Sequence, residues 1–101
     1  MTPATLLTAA QNIDCERDAA EINDCAVNML RDRGFSSRAV LQQDRIMMED
    51  RGILGDWTAY KRASRAGLMF PLGRVDRMLV WAAIESSRKA GLYAARRRFA
   101  A

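Results

Sequence analysis

The segment "GRVDRMLVWAAIESSRKAG", residues 73–91, most constrains what this chain can fold into. Apolar side chains fall at Val75, Met78, Leu79, Ala82 and Ala83, with Val80, Trp81 and Ile84 on a further arc. A surface helix needs only one apolar stripe, so an arc this broad predicts a central helix packed on several sides, or one that also faces a partner. Pro71 stands just ahead of it. The basic tail 92–101, "LYAARRRFAA", either extends this helix or hangs free. With 101 residues, half of them hydrophobic, one domain can supply the surrounding shell.

Glycines at 34, 52, 55, 67, 73 and 91 punctuate the rest, and the segments between them read mostly as helices. Leu6, Leu7, Ala10 and Ile13 form a short stripe; Cys15, Ala19, Ile22, Ala26, Met29 and Leu30 form a second, rotated one. The rotation predicts a break near Asn12–Asp14. Gly34 suits the left-handed position that ends a helix. Ser36 or Ser37 is placed to cap the next one, whose apolar face is Val40, Leu41, Met47 and Met48. Asp56 is placed to cap a short helix through "DWTAYKRASRAG". A small β-hairpin wing over 56–72 competes there, because Trp57, Thr58 and Tyr60 favour strand and "LMF" can pair back. The expectation is one mainly α domain, 1–101, of four to five helices with a helix-turn-helix-like core.

The sequence contains no histidine, which removes Ser-His-Asp and Cys-His nucleophile systems. Cys15 and Cys25, ten residues apart on one helix, would sit about 15 Å apart, beyond the roughly 7 Å that a disulfide spans. Two cysteines without histidine do not complete a zinc site; both read as small buried apolar residues. Carboxylate pairs such as Asp14 with Asp18 and Glu49 with Asp50 read as solvated faces. No catalytic group, cofactor or metal is therefore expected. No apolar run approaches the roughly 18 residues of a membrane span, and the first residues lack a basic region and meet acids too soon for a signal peptide. A cytoplasmic protein with no membrane partner is the expectation.

Charge is unevenly spread. Residues 1–50 carry nine acids and five bases, a net of −4, and residues 51–101 carry three acids and eleven bases, a net of +8. A basic half implies an anionic partner, with nucleic acid the generic one. The basic set is Lys61, Arg62, Arg65, Arg74, Arg77, Arg88, Lys89, Arg96, Arg97 and Arg98. Arginine predominates in it, which suits bidentate phosphate contacts. An intramolecular match between acidic and basic halves, or head-to-tail self-association, explains the same asymmetry.

The run "AVNMLRDRGFSSRAVLQQDR", residues 26–45, resembles the helix-turn-helix of bacterial regulators, with Met29, Gly34, Phe35 and Val40 at the apolar and turn positions of that pattern. It departs from the pattern at Leu30, where a small residue is usual, and at Arg33 and Gln43, where apolar ones are. The resemblance implies that Ser36, Ser37 and Arg38 hold phosphates or reach bases, and that Gln42 and Arg45 face the major groove. "MMEDRGILGDW" is similar to the end of a recognition helix in winged-helix proteins, which would place Lys61, Arg62 and Arg65 at a wing tip. An ordinary helix–loop–helix with a polar outer face is the plain alternative.

The first expectation for function is thus a small non-enzymatic DNA-binding regulator. It would use Ser36, Ser37, Arg38, Gln42, Arg45, Lys61, Arg62, Arg65, Arg96, Arg97 and Arg98 on nucleic acid, DNA before RNA, as a homodimer over two half-sites. The alternative is a protein-interaction module, such as a phage-type inhibitor or adaptor, that binds a protein complex through Trp57, Tyr60, Arg65 and Tyr93, residue types enriched at interface hot spots.

Overall fold

The computed structural model describes residues 1–100, the side chains of Ser37 and Ala100 excepted. It holds five helices: α1 (Pro3–Gln11), α2 (Glu16–Asp32), α3 (Ser37–Asp50), α4 (Trp57–Arg65) and α5 (Arg74–Ala100). At 27 residues α5 is about 40 Å long, and the other four helices pack around it. Leu79, Val80, Trp81, Ala82, Ala83 and Ile84 are all buried in succession, as expected of a central helix. Trp81 leaves its Nε1 without a hydrogen-bond partner among the described residues. That costs about 1–3 kcal/mol, against about 5 kcal/mol from burying an indole, so the ring stays inside.

The helix ends follow local chemistry. Thr2 accepts from the Thr5 amide ahead of Pro3, and α1 stops at Gln11, so the expected break falls at residues 12–15. The Cys15 sulfur accepts from the Asp18 amide at 3.5 Å and caps α2, a role its reading as an apolar filler missed. Gly34, at φ +82°, ends α2 in the left-handed conformation. Ser36 occupies the cap position of α3 but makes no side-chain capping bond. The Gly34 turn joins α2 to α3, and both helices rest on α5. The basic stretch 92–100 continues α5.

Residues 57–65 are helical, and no strand occurs among the described residues, so the hairpin wing is not formed. Asp56 Oδ1 accepts from the Ala59 amide at 2.9 Å and starts α4. Tyr60 and Ser64, four residues apart on one helical face, then find polar partners inside the fold; a strand would turn two such residues to the same face but about 13 Å apart. Tertiary partners outweigh the strand preference of Trp57, Thr58 and Tyr60.

A part-buried polar contact ties α2 to α5. Asn23 of α2 donates to the Ala83 carbonyl (3.0 Å) and Ser86 hydroxyl (3.2 Å) of α5. Glu85, buried, takes Arg88 in a two-pronged ion pair at 2.6 and 3.0 Å. The Arg88 guanidinium lies so close to Gly55 that a Cβ there would meet it at 2.9 Å, and the φ of +82° also excludes other side chains. Among the described residues, no helix is long and apolar enough to cross a membrane.

Candidate anion-binding site

Two polar clamps set the rotation of α4. Asp44 of α3 is fully buried, and its carboxylate accepts from the Tyr60 hydroxyl at 2.7 Å and the Phe70 amide at 2.9 Å. On α5, Arg77 donates through Nε to the Ser64 hydroxyl at 2.8 Å and through Nη2 to the Leu72 carbonyl at 3.2 Å. Burial, and after it the hydrogen bond to Asp44, push the Tyr60 hydroxyl far above its ordinary titration range, so it stays a proton donor.

With Tyr60 and Ser64 turned inward, the helical period of 3.6 decides where the cations of α4 go. Trp57, Lys61 and Arg65 follow one another at intervals of four and face the start of α5. There they join Arg74, Arg77 and Met78 of α5 and Leu7 of α1 around a pocket of about 300 Å³. Lys61 Nζ lies 5.7 Å from the Trp57 ring centroid, and Trp57 packs edge-on against Trp81 at 5.9 Å. The half-buried indole thereby connects the pocket wall to the core and holds the ammonium nearby. No carboxylate lines the pocket, and none of its four cations is in an ion pair among the described residues. Grouped cations repel one another; an anion among them removes that repulsion and gains charge-assisted hydrogen bonds.

The other expected site residues are dispersed. Arg62 lies about 100° round α4 from Lys61, beside Arg51, Ile53 and Leu68. Arg96, Arg97 and Arg98 lie near the far end of α5, about 33 Å from Arg74 and Arg77 by helical rise. Arg97 pairs there with Glu16 at 3.2 Å, and Arg96 lies over the half-buried Tyr93 ring at 5.6 Å. Tyr60 was expected at an interface but is fully buried, because its hydroxyl closes on Asp44. Arg38 and Gln42 are exposed on α3, whereas Arg45 is half-buried and pairs with Glu49 at 3.3 Å. Ser36 is exposed, and the contact expected of the Ser37 side chain lies outside the described residues. The outer face of α3 carries a shallow depression lined by Ala39, Gln42, Gln43, Ile46 and Met47, largely apolar.

Two clusters escaped the sequence reading. Arg74 and Arg77 counted only as part of a basic set, because nothing in their spacing reveals that α4 turns Lys61 and Arg65 toward them. Asp44 did leave a signal: it stands four residues from both Val40 and Met48, an acid inside the apolar stripe of α3. Asp14, Cys15 and Asp18 bring their donor atoms within 4.8 Å of one another at the start of α2, where carboxylates are stabilised by the helix itself. No protein-family model, curated protein or solved structure matches the chain significantly.

Proposed function

We propose that this is a small non-enzymatic nucleic-acid-binding protein that holds phosphate at the corner between α4 and the start of α5. The observation that carries this reading is the convergence of Lys61, Arg65, Arg74 and Arg77 on one pocket without a carboxylate. Three of the four are arginines, whose planar fork matches phosphate oxygens. Each charge-assisted hydrogen bond to such an anion is worth about 1.5–3 kcal/mol.

A DNA-binding regulator acting as a cytoplasmic homodimer is the specific form of the proposal. In that form Arg38 and Gln42 on the outer face of α3 read bases. The same face bears Ile46, Glu49 and Asp50, so the grouped cations at the α4–α5 corner support the reading more strongly than the face proposed for base readout does. Binding to random-sequence duplex and single-stranded DNA at about 50 and 200 mM salt tests it. Binding that weakens steeply with salt, and weakens further in Arg74→Gln and Lys61→Gln, is the expected result. No binding at the lower salt contradicts it.

One observation favours the alternative of a protein-interaction module. Trp57, Lys61 and Arg65 line a concavity rather than a ridge, and such residues in a pocket make an anchor point for an acidic side chain of a partner. Retention of an acidic protein that Trp57→Ala and Arg65→Ala both release, with DNA binding absent, would establish it.

A further inference from the structure

The pocket's shape and charge also indicate which part of a nucleic acid it fits, an inference that rests on the nucleic-acid reading above. Internal phosphates of a duplex follow one another along a convex backbone and carry one charge each, so a protein tracking them presents an outward row of cations. Among the described residues, no such row adjoins this pocket. Arg62 lies on another side of α4, Arg88 is taken by Glu85, Lys89 donates to the Ile13 carbonyl, and Arg96 to Arg98 lie about 33 Å away.

The pocket instead gathers four positive charges around a single space of about 300 Å³, enough for a phosphate and part of its nucleoside. One diester would leave most of that charge unmatched. A terminal phosphate monoester brings about −1.5 to −2 charges and three free oxygens. Arg77 is already fixed through Ser64 and Leu72, so it loses little side-chain freedom on meeting such a group. Leu7, Trp57 and Met78 form an apolar wall beside the cations, suited to the sugar or base attached to that phosphate.

We infer that the pocket binds the phosphorylated end of a nucleic-acid strand, in preference to phosphates within it. Single-stranded DNA of about 12 nucleotides, within the usual footprint of a small binding domain, is labelled internally and prepared with a 5′-phosphate, a 3′-phosphate or hydroxyls at both ends. Binding to the 101-residue chain is then measured at one fixed salt concentration. The expected result is that at least one phosphorylated form binds tenfold or more tightly than the hydroxyl form, and that Lys61→Gln with Arg74→Gln abolishes the difference. Equal binding of all three strands, weakened alike by that double variant, overturns end recognition and leaves the nucleic-acid reading standing. Absence of binding to every strand overturns both, and binding of a phosphoserine peptide in their place would make the partner a protein. Should the double variant fail to fold, competition on the unaltered protein carries the test. Thymidine monophosphate is expected to displace the phosphorylated strand where thymidine does not, and failure of both to displace it overturns the inference.

Discussion

At the start of α5, Arg74 and Arg77 border a pocket lined by no carboxylate, and Arg77 bonds only the neutral oxygens of Ser64 and Leu72; further along the same helix, Arg88 and Arg97 pair with carboxylates and Lys89 donates to a carbonyl. Arg88 sits in a buried pair with Glu85 and closes over Gly55, Lys89 caps the Ile13 carbonyl, and Arg97 meets Glu16 at the start of α2. One helix thus carries two populations of cations. The first has no carboxylate partner among the described residues and keeps its charge for an outside anion, whereas in the second Arg88 and Arg97 are neutralised by Glu85 of the same helix and Glu16 of α2. Net charge counted along the sequence merges the two, and only the positions of the carboxylates separate them.

The sharpest way to break this contrast is to remove an internal partner. Arg88→Gln leaves the Glu85 carboxylate, only 4% exposed, without its cation. Loss of about 3 kcal/mol of folding stability is expected, read from denaturant midpoints, because breaking a buried pair by removing one partner strands the other charge. A change below about 0.5 kcal/mol, the size expected of an exposed pair, would place Arg88 with the available cations instead.

Next in size is the loss expected at the pocket. Lys61→Gln with Arg74→Gln removes two cations that no internal ion pair employs, so nucleic-acid affinity should fall about a hundredfold, near 2.8 kcal/mol, while the thermal midpoint stays close to that of the unaltered protein. Arg77 is the less clean probe, since its bonds to Ser64 and Leu72 also hold α4 in place.

Tyr60→Phe tests the clamp that aims the pocket. Removing the hydroxyl leaves an oxygen of the buried Asp44 without its donor and should cost about 1–3 kcal/mol. The pH dependence has a definite sign. The folded state raises the Tyr60 titration above its ordinary value of 10.0, so the stabilisation is complete below about pH 10 and is lost as pH rises beyond it. The unaltered protein should therefore lose thermal stability above pH 10 more steeply than Tyr60→Phe; parallel curves would show that the hydroxyl is not shielded. The smallest effect belongs to the other end of α5. Arg97→Gln breaks a largely exposed pair and should change stability by less than about 0.5 kcal/mol and DNA affinity by less than twofold.

Much of the fold was legible because it depends on local chemistry. Gly34 and Asp56 mark helix boundaries by conformational freedom and by capping, and the unbroken apolar run of 78–84 announces a helix segment buried on several sides. The site was legible only in parts. Lys61 and Arg65 stand four residues apart and so share a face, which the sequence reveals. What that face meets depends on how far α4 is rotated, and the rotation is fixed by Asp44 and Arg77, which lie 16 and 13 residues from their partners on α4. Side-chain pairings across that distance leave no periodic trace. Tyr60 was misplaced for the same reason: an amphipathic aromatic in a basic segment reads as a surface anchor until a buried carboxylate is found for its hydroxyl.

The central claim is that the pocket at the start of α5, rather than the arginine-rich end, supplies the contacts to nucleic acid. The salt dependence of DNA binding tests it most directly, since each phosphate contact contributes a slope of about 0.7–0.9 in log affinity against log salt. Neutralising Lys61 and Arg74 should lower that slope by between one and two, whereas neutralising Arg96, Arg97 and Arg98 together should leave it nearly unchanged. The reverse pattern, a slope that survives the pocket substitutions and collapses with the three terminal arginines, would contradict the account.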